Sequence, residues 1–354
     1  MKLRRIGIIL PSLSHGGAER VASVLANNWS RLADCEVHLL TFTNLPRFFS
    51  LEGKVKFFDA SASKRGFGLL NTATVFMNIR RYIVNQRIDS VLSFMDKYNV
   101  FVLLCLAFTR VRVTVSDRSG PRKWRPMWLR ILKRATYPWA AGAIAQTRLA
   151  AELLRAQTGV KRVETIPNPI RKSASGFGSR EKLILSVGRL VPEKGQASLI
   201  RAFANFREPD WILAIIGEGE LRASLDALAR SLGVSDRVRL PGAVTNIDAW
   251  YRRASLFVLS SNSEGFPNAL VEAMSHGVAC ISFDCDAGPA DIIEDGISGL
   301  LLRVGDERGL TKVLTDLARH AERREALGEA ARARAQQFGE DVIARRYLEF
   351  CLGK

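Results

Sequence analysis

Ser186-Val187-Gly188-Arg189-Leu190-Val191-Pro192-Glu193-Lys194-Gly195 sets two cations between two glycines, directly after an apolar run that reads as a β-strand. A loop in that place opens at the carboxyl edge of a sheet, where doubly wound folds bind ligands. Arg189 and Lys194 suit a pyrophosphate, and Gly188 and Gly195 let backbone come close to it. A second segment, Ser263-Glu264-Gly265-Phe266-Pro267-Asn268-Ala269-Leu270-Val271-Glu272-Ala273-Met274, puts a proline at a helix start. That leaves backbone N–H groups from Asn268 onward pointing at any bound anion. Glu264 falls on the loop before this helix and Glu272 about a turn and a half inside it. Carboxylates suit paired sugar hydroxyls, because each oxygen accepts hydrogen bonds. Taken singly, each segment also reads as ordinary surface: a loop with two solvated cations, or a capping glutamate and a helical one.

The elements that must position these residues repeat a pattern. Arg5–Pro11 and Lys182–Val187 are β-rich runs ending in glycine turns, each followed by a helical period, at about Ala18–Leu32 and Gln196–Phe206. Further strands are expected at Glu36–Thr41, Val55–Phe58, Ser90–Phe94, Arg112–Ser116 and Gly142–Ala145, then at Trp211–Ile216, Val238–Leu240, Leu256–Leu259 and Val278–Phe283. Short continuous apolar runs between helical stretches mark parallel sheets covered on both faces. An α/β chain of two doubly wound, Rossmann-like domains follows. Ile166-Pro167-Asn168-Pro169-Ile170 and the Ser/Gly-rich stretch 173–179 mark the boundary, giving domains 1–170 and 171–337, with a terminal helix near 338–354 expected to pack back on the first.

Together, Gly188-Arg189 with Glu193-Lys194-Gly195, the Glu264-x7-Glu272 spacing and Gly16-Gly17-Ala18-Glu19-Arg20 resemble the retaining glycosyltransferases of family 4, across nearly the whole chain. The resemblance implies the GT-B fold, with two Rossmann-like domains facing each other across a cleft. It implies that Arg189 and Lys194 bind the donor diphosphate with backbone N–H groups at Asn268, Ala269 and Leu270, beside Phe266 and Pro267. Glu264 would hold the donor sugar and Glu272 the ribose. Gly16 and Gly17 would face the diphosphate and acceptor, and Gly242-Ala243-Val244 would lie near the base. Gly217-Glu218-Gly219 matches a strand-ending turn of the family and reads as structural. Asp291 stands where many members carry Glu.

The mechanism implied needs no metal and no cofactor. As the sugar–phosphate bond breaks, charge gathers on the departing diphosphate, and fixed positive groups aimed at that charge supply the largest catalytic term. One departure stands out: Val113-Thr114-Val115-Ser116-Asp117-Arg118-Ser119 contains no histidine, where many members have one. Asp117 or Arg118 is a candidate for its contacts, and a simple turn is the alternative. The variant, with Ser93-Phe94-Met95-Asp96-Lys97-Tyr98-Asn99 and Ile166-Pro167-Asn168-Pro169, resembles a subgroup that builds glycans on lipid-diphosphate carriers, including N-acetylgalactosamine and galactose transferases. The resemblance favours a UDP-sugar donor, with GDP as the alternative, and a lipid-linked or polysaccharide-precursor acceptor.

Composition narrows the setting. Apolar residues at 47% and charged residues at 25% are ordinary for a globular chain. The five cysteines, Cys35, Cys105, Cys280, Cys285 and Cys351, are scattered and form no CxxC or Cys/His cluster, so a reducing cytosolic compartment is expected. The apolar run at Ile6–Pro11 leads into a Gly-Gly turn and reads as a strand rather than a signal peptide. The longest apolar stretch, Val100–Phe108, is about half a bilayer span.

Residues 1–170 hold 27 Lys and Arg against 10 Asp and Glu, while the remainder balances at 25 each, so the whole excess of +17 sits in the first half. Arg118 to Ala151 carries eight basic residues and no acid. Within it Pro126 opens a helix to about Tyr137, with Trp128, Ile131, Leu132 and Ala135 on one face and Arg130, Lys133 and Arg134 on or beside the other. Trp124 and Trp139 flank it. Tryptophan with basic residues on an amphipathic helix suits an anionic headgroup layer. Arg118, Arg122, Lys123, Trp124, Arg130, Lys133 and Arg134 are therefore expected to meet an anionic membrane or a lipid diphosphate, placing the protein on the inner face of the cell membrane. A core-facing apolar stripe with a solvated basic face is the plainer alternative. Two rivals remain: an epimerase of the same fold, and a basic nucleic-acid-binding protein, which lacks a recognisable binding module or stacking platform.

Overall fold

The computed structural model describes residues 3–14, 16–43, 45–61, 69–118, 120, 122, 124–171 and 180–353. Lys123 and the 173–179 stretch lie outside them, as do His15 and Ser119. In chain order the elements are β1 (Arg4–Leu10), α1 (Gly17–Ser30), β2 (Cys35–Thr41), β3 (Lys56–Asp59), α2 (Leu69–Asn85), β4 (Ser90–Phe94), α3 (Asp96–Cys105), β5 (Arg112–Ser116), α4 (Met127–Thr136), β6 (Gly142–Ala145), α5 (Arg148–Thr158) and β7 (Val163–Thr165). There follow β8 (Glu181–Val187), α6 (Gln196–Ala204), β9 (Ile212–Ile216), α7 (Arg222–Ser231), β10 (Val238–Gly242), α8 (Ile247–Arg253), β11 (Ala254–Leu259), α9 (Asn268–Ser275), β12 (Ala279–Phe283), α10 (Pro289–Ile292), β13 (Leu300–Leu302), α11 (Glu307–Arg319), α12 (Ala321–Ala335) and α13 (Glu340–Leu352). The chain divides into two compact units, 1–169 with 340–354, and 170–339.

The first unit carries a seven-stranded parallel sheet in the order β3-β2-β1-β4-β5-β6-β7. Its inner strands β1, β2, β4, β5 and β6 are buried along most of their length because both faces are covered. Ile6, Ile8, Val37 and Leu39 pack under α1 and α13, while Ile9, Leu40, Val91 and Val113 pack under the helices of the other face. Trp29 is fully buried and donates its indole N–H to the Ala344 carbonyl, 2.8 Å away, tying α1 to α13. The order reverses between β1 and β4, so their carboxyl ends, and that of β5 beside them, form the edge at which such a sheet binds ligands. Gly16 and Gly17, Asp96 and Lys97, and Asp117 and Arg118 all stand on loops or helix starts at this edge.

The second unit repeats the plan with six parallel strands in the order β10-β9-β8-β11-β12-β13. Here the reversal falls between β8 and β11. The loop 188–195 leaves β8 and the loop 260–267 leaves β11, so adjacent central strands deliver the two chemistry-bearing segments to one edge. Among the described residues, no helix is long and apolar enough to cross a membrane.

Candidate active site

The loop after β8 is fixed by contacts that only glycine permits. Gly195 has φ +60°, and a Cβ there would stand 2.1 Å from the Ser260 carbonyl oxygen, so the β8 and β11 loops touch backbone to backbone. Ser260 Oγ donates to the Lys194 carbonyl at 3.0 Å, and the Asn262 N–H donates to the Glu193 carbonyl at 2.8 Å. On the other side, a Cβ at Gly217 would fall 2.0 Å from the Gly188 oxygen. The buried Gln196 amide donates to the Arg189 carbonyl at 2.8 Å. Gly217-Glu218-Gly219 is thus structural: its backbone joins Leu190, while Glu218 Oε1 accepts from the Ala243 N–H at 3.3 Å and shapes the turn before Val244.

Within this frame Lys194 Nζ lies 2.6 Å from Glu264 Oε1, and Ser261 Oγ donates to the same oxygen at 2.6 Å. Glu264 is buried, with Oε2 left without a protein partner among the described residues. A buried carboxylate must be hydrogen-bonded, and Lys194 and Ser261 meet this one. Arg189 is exposed, its guanidinium carrying no ion pair among the described residues. Glu272 Oε2 accepts from the Tyr251 hydroxyl at 3.1 Å. His276, stacked on Tyr251 at 5.1 Å, directs Nδ1 to the Glu272 carbonyl at 2.8 Å. Tyr251 and Ser261 carry no motif signal, although Ser261 stands only three positions before Glu264.

The start of α9 differs from expectation. Pro267 at φ −82°, ψ 79° forms an inverse γ-turn, in which the Asn268 N–H donates to the Phe266 carbonyl at 3.0 Å. The Leu270 N–H donates to the Pro267 carbonyl at 3.0 Å. Two of the three N–H groups expected for an anion are therefore engaged locally, leaving that of Ala269. Phe266 and Leu270 point their side chains into the core, and Val244 packs against the same cluster.

At the carboxyl edge of the first unit, a Cβ on Gly16 would meet Glu19 Oε2 at 2.1 Å, so the glutamate carboxylate lies over the start of α1. Asp117 sits in an internal ionic cluster. Lys133 Nζ reaches Asp117 Oδ2 at 2.5 Å and Asp96 Oδ2 at 3.2 Å, Arg125 pairs with Asp96, and Tyr137 and Asn99 donate to Asp117 Oδ1 at 2.6 and 3.0 Å. Burial, and then the neighbouring Asp96, push the Asp117 carboxyl up. Burial also acts on Asp96, but Lys133 and Arg125 outweigh it and hold that carboxyl down.

Two basic residues expected at an anionic surface belong to the interior instead. Lys133 is buried on the inner side of α4 with Leu129 and Thr136, because Asp96 and Asp117 claim its charge. Arg118 lies 4.6 Å over the Phe94 ring, bonded to Asn168 and to the Tyr347 hydroxyl, and burial lowers its pKa. Arg122, Arg130 and Arg134 do face solvent. So do Trp124, Met127, Trp128 and Ile131, which are 82%, 63%, 51% and 60% exposed. The apolar stripe of α4 is turned outward, the reverse of a core-facing helix.

Two family models match the chain: Glycosyltransferase Family 4 over residues 15–173 and Glycosyl transferases group 1 over residues 168–334. A Campylobacter jejuni GalNAc-alpha-(1->4)-GalNAc-alpha-(1->3)-diNAcBac-PP-undecaprenol alpha-1,4-N-acetyl-D-galactosaminyltransferase is 28% identical, covering 98% of both chains. A second enzyme of that organism, N-acetylgalactosamine-N,N'-diacetylbacillosaminyl-diphospho-undecaprenol 4-alpha-N-acetylgalactosaminyltransferase, is 27% identical over 99% of this chain and all of its own. Among solved structures, Anabaena Alr3699/HepE in complex with UDP and glucose superposes with a TM-score of 0.79 at 18% identity, covering 99% of each chain. With two parallel doubly wound units and both halves matched, the chain belongs to the GT-B glycosyltransferases.

Proposed function

We propose that the chain is a retaining hexosyl- or N-acetylhexosaminyltransferase that draws its sugar from a UDP donor. Its acceptor is a glycan or polysaccharide precursor carried on a lipid diphosphate, met at the cytoplasmic face of the membrane. The observation that carries the donor half is the Lys194–Glu264 contact at 2.6 Å, made where the loops of adjacent central strands β8 and β11 meet. Lys194 and Ser261 both hold Oε1, which orients Oε2 to accept from a sugar hydroxyl. The Lys194 ammonium and the Arg189 guanidinium then face the charge that builds on the departing diphosphate. Each such preorganised donor lowers the barrier by roughly 3 kcal/mol. Glu272, oriented by Tyr251, accepts from the ribose. Retention follows when the departing phosphate oxygen takes the acceptor's proton on the face from which it leaves.

The acceptor half rests on the two Campylobacter enzymes, whose names specify diphospho-undecaprenol-linked glycans, and the UDP carrier on the HepE complex. The outward Trp124, Trp128 and Ile131 beside Arg130 and Arg134 support a membrane setting, since aromatic and basic side chains together suit the headgroup layer. The test is a thermal-shift panel of nucleotide sugars followed by analysis of the product. One UDP-sugar should raise the melting temperature by mass action, and the new linkage should keep the donor's anomeric configuration. No stabilisation by any nucleotide sugar, or an inverted product, would overturn the proposal.

A further inference from the structure

The first unit contains an apolar groove of about 350 Å³, bounded by α2, α3 and α4. That is within the range of ligand pockets, about 300–1,000 Å³. Val75 is buried at its base, and Tyr98, Phe101, Leu104, Trp128 and Leu132 line it. Phe42 packs on Tyr98 and Phe101 at ring distances of 4.8 and 5.3 Å, so the wall is aromatic and rigid. Leu104, Trp128 and Leu132 remain exposed, a cost that a solvated groove leaves standing.

The groove has two distinct ends. Lys97, exposed and also lining it, stands in the first turn of α3, at the carboxyl edge where the sheet binds ligands. Leu104 stands seven residues further along the same helix, about 10 Å away. Trp128 and Leu132 belong both to the groove and to the outward apolar stripe of α4, so the groove opens onto that exposed stripe. A ligand that fits has an anionic head near Lys97 and a branched apolar chain passing along α3 toward the lipid side.

We infer that this groove seats the first isoprene units of a prenyl diphosphate, with the diphosphate at the Lys97 end. The inference rests on the acceptor reading above and adds to it a specific subsite for the lipid chain. The groove would thereby recognise the carrier as well as the sugar it bears.

Calorimetric titration of the full-length protein with farnesyl diphosphate, kept below its micelle concentration, tests this against inorganic diphosphate. The wild type should bind the prenyl compound at least tenfold more tightly. Leu104→Trp and Thr72→Trp, which fill the groove from two helices, should shrink that advantage below threefold while a near-wild-type circular dichroism spectrum and melting curve show each variant to be folded. Equal affinity of the wild type for the two anions would overturn the inference, as would an undiminished advantage in both variants. Oleate binding as tightly as farnesyl diphosphate would assign the groove to straight acyl chains and equally overturn it. Transfer assays separate the two levels. Groove binding without transfer to any prenyl-diphosphate glycan sinks the acceptor reading alone. Transfer with the same KM in wild type and both variants sinks the groove and spares that reading.

Discussion

Lys194 and Glu264 are separated by 70 positions in the chain and by 2.6 Å in space. Each comes from a different strand-end loop, and the loops meet at the Gly195–Ser260 backbone contact. The ion pair is therefore preformed: the carboxylate proposed to hold the sugar and the ammonium proposed to face the diphosphate orient each other in the structure.

Glu264→Gln and Lys194→Ala should each reduce kcat by about 10²–10³, the usual effect of deleting one preorganised group. Steady-state rates on protein verified as folded by its melting curve check this. A folded Lys194→Ala enzyme with near-normal turnover would remove Lys194 from the reaction.

Gly195→Ala should lower both stability and donor affinity. The residue combines φ +60° with a carbonyl oxygen 2.1 Å from where Cβ must go, and a backbone atom cannot swing aside as a side-chain tip can. The left-handed backbone alone costs about 1–3 kcal/mol in a residue other than glycine. Melting temperature and the nucleotide-sugar Kd should worsen together, because the displaced loop carries Lys194.

Lys133→Met should destabilise the first unit by about 3–5 kcal/mol, as expected when one partner of a buried ion pair is lost. Asp96 and Asp117 would then share Arg125 as their remaining charged partner in the cluster. Denaturant midpoints should separate this variant clearly from Arg134→Gln, whose side chain is in solvent.

Arg130→Gln with Arg134→Gln should weaken sedimentation with anionic vesicles by roughly 1 kcal/mol per residue at low salt. Trp128→Ala should weaken it at all salt concentrations, since its contribution is apolar. Unaltered sedimentation in both variants would dismiss the membrane setting and leave the donor chemistry intact.

Acidification should destabilise the protein partly through His38. Burial lowers its pKa, and Glu36, 2.8 Å from Nε2, offsets this only in part. With the folded value below the ordinary value of about 6.5, the neutral ring's contribution is whole above that pH and is lost as pH falls through the depressed value. His38→Gln should therefore show a shallower fall in melting temperature between about pH 7 and pH 5. Identical slopes would exclude the residue as a source of acid sensitivity.

The strands were the most legible part of the sequence, because apolar continuity and strand length coincide in a parallel sheet. Ser90–Phe94, Arg112–Ser116 and Gly142–Ala145 begin and end where expected. Val163–Thr165 and Leu300–Leu302 escape notice because they are three-residue edge strands whose residues are only partly buried. On α4, helical periodicity separates the two faces but does not say which one is buried. The deciding interaction joins Lys133 to Asp96 and Asp117, 37 and 16 positions away, and no local period records it. The site was similarly half visible. Spacing and resemblance single out Lys194, Glu264 and Glu272, whereas the hydroxyls of Ser261 and Tyr251 that orient the two carboxylates emerge only when the chain is folded. The turn at Pro267 is a further case, since proline at a helix start marks the element correctly without revealing where the next N–H points.

The return of α13 to the first unit sets a timetable for biosynthesis. The helix is translated only after residues 170–339, so at about 5–20 residues per second the first unit waits on the order of 10–30 s for its last layer. Until then the Trp29 indole lacks the Ala344 carbonyl, and the face that α13 covers stays open. Maturation runs against the order of translation: the later unit can close first, and a ribosome that stalls within it leaves the earlier one as the part needing a chaperone.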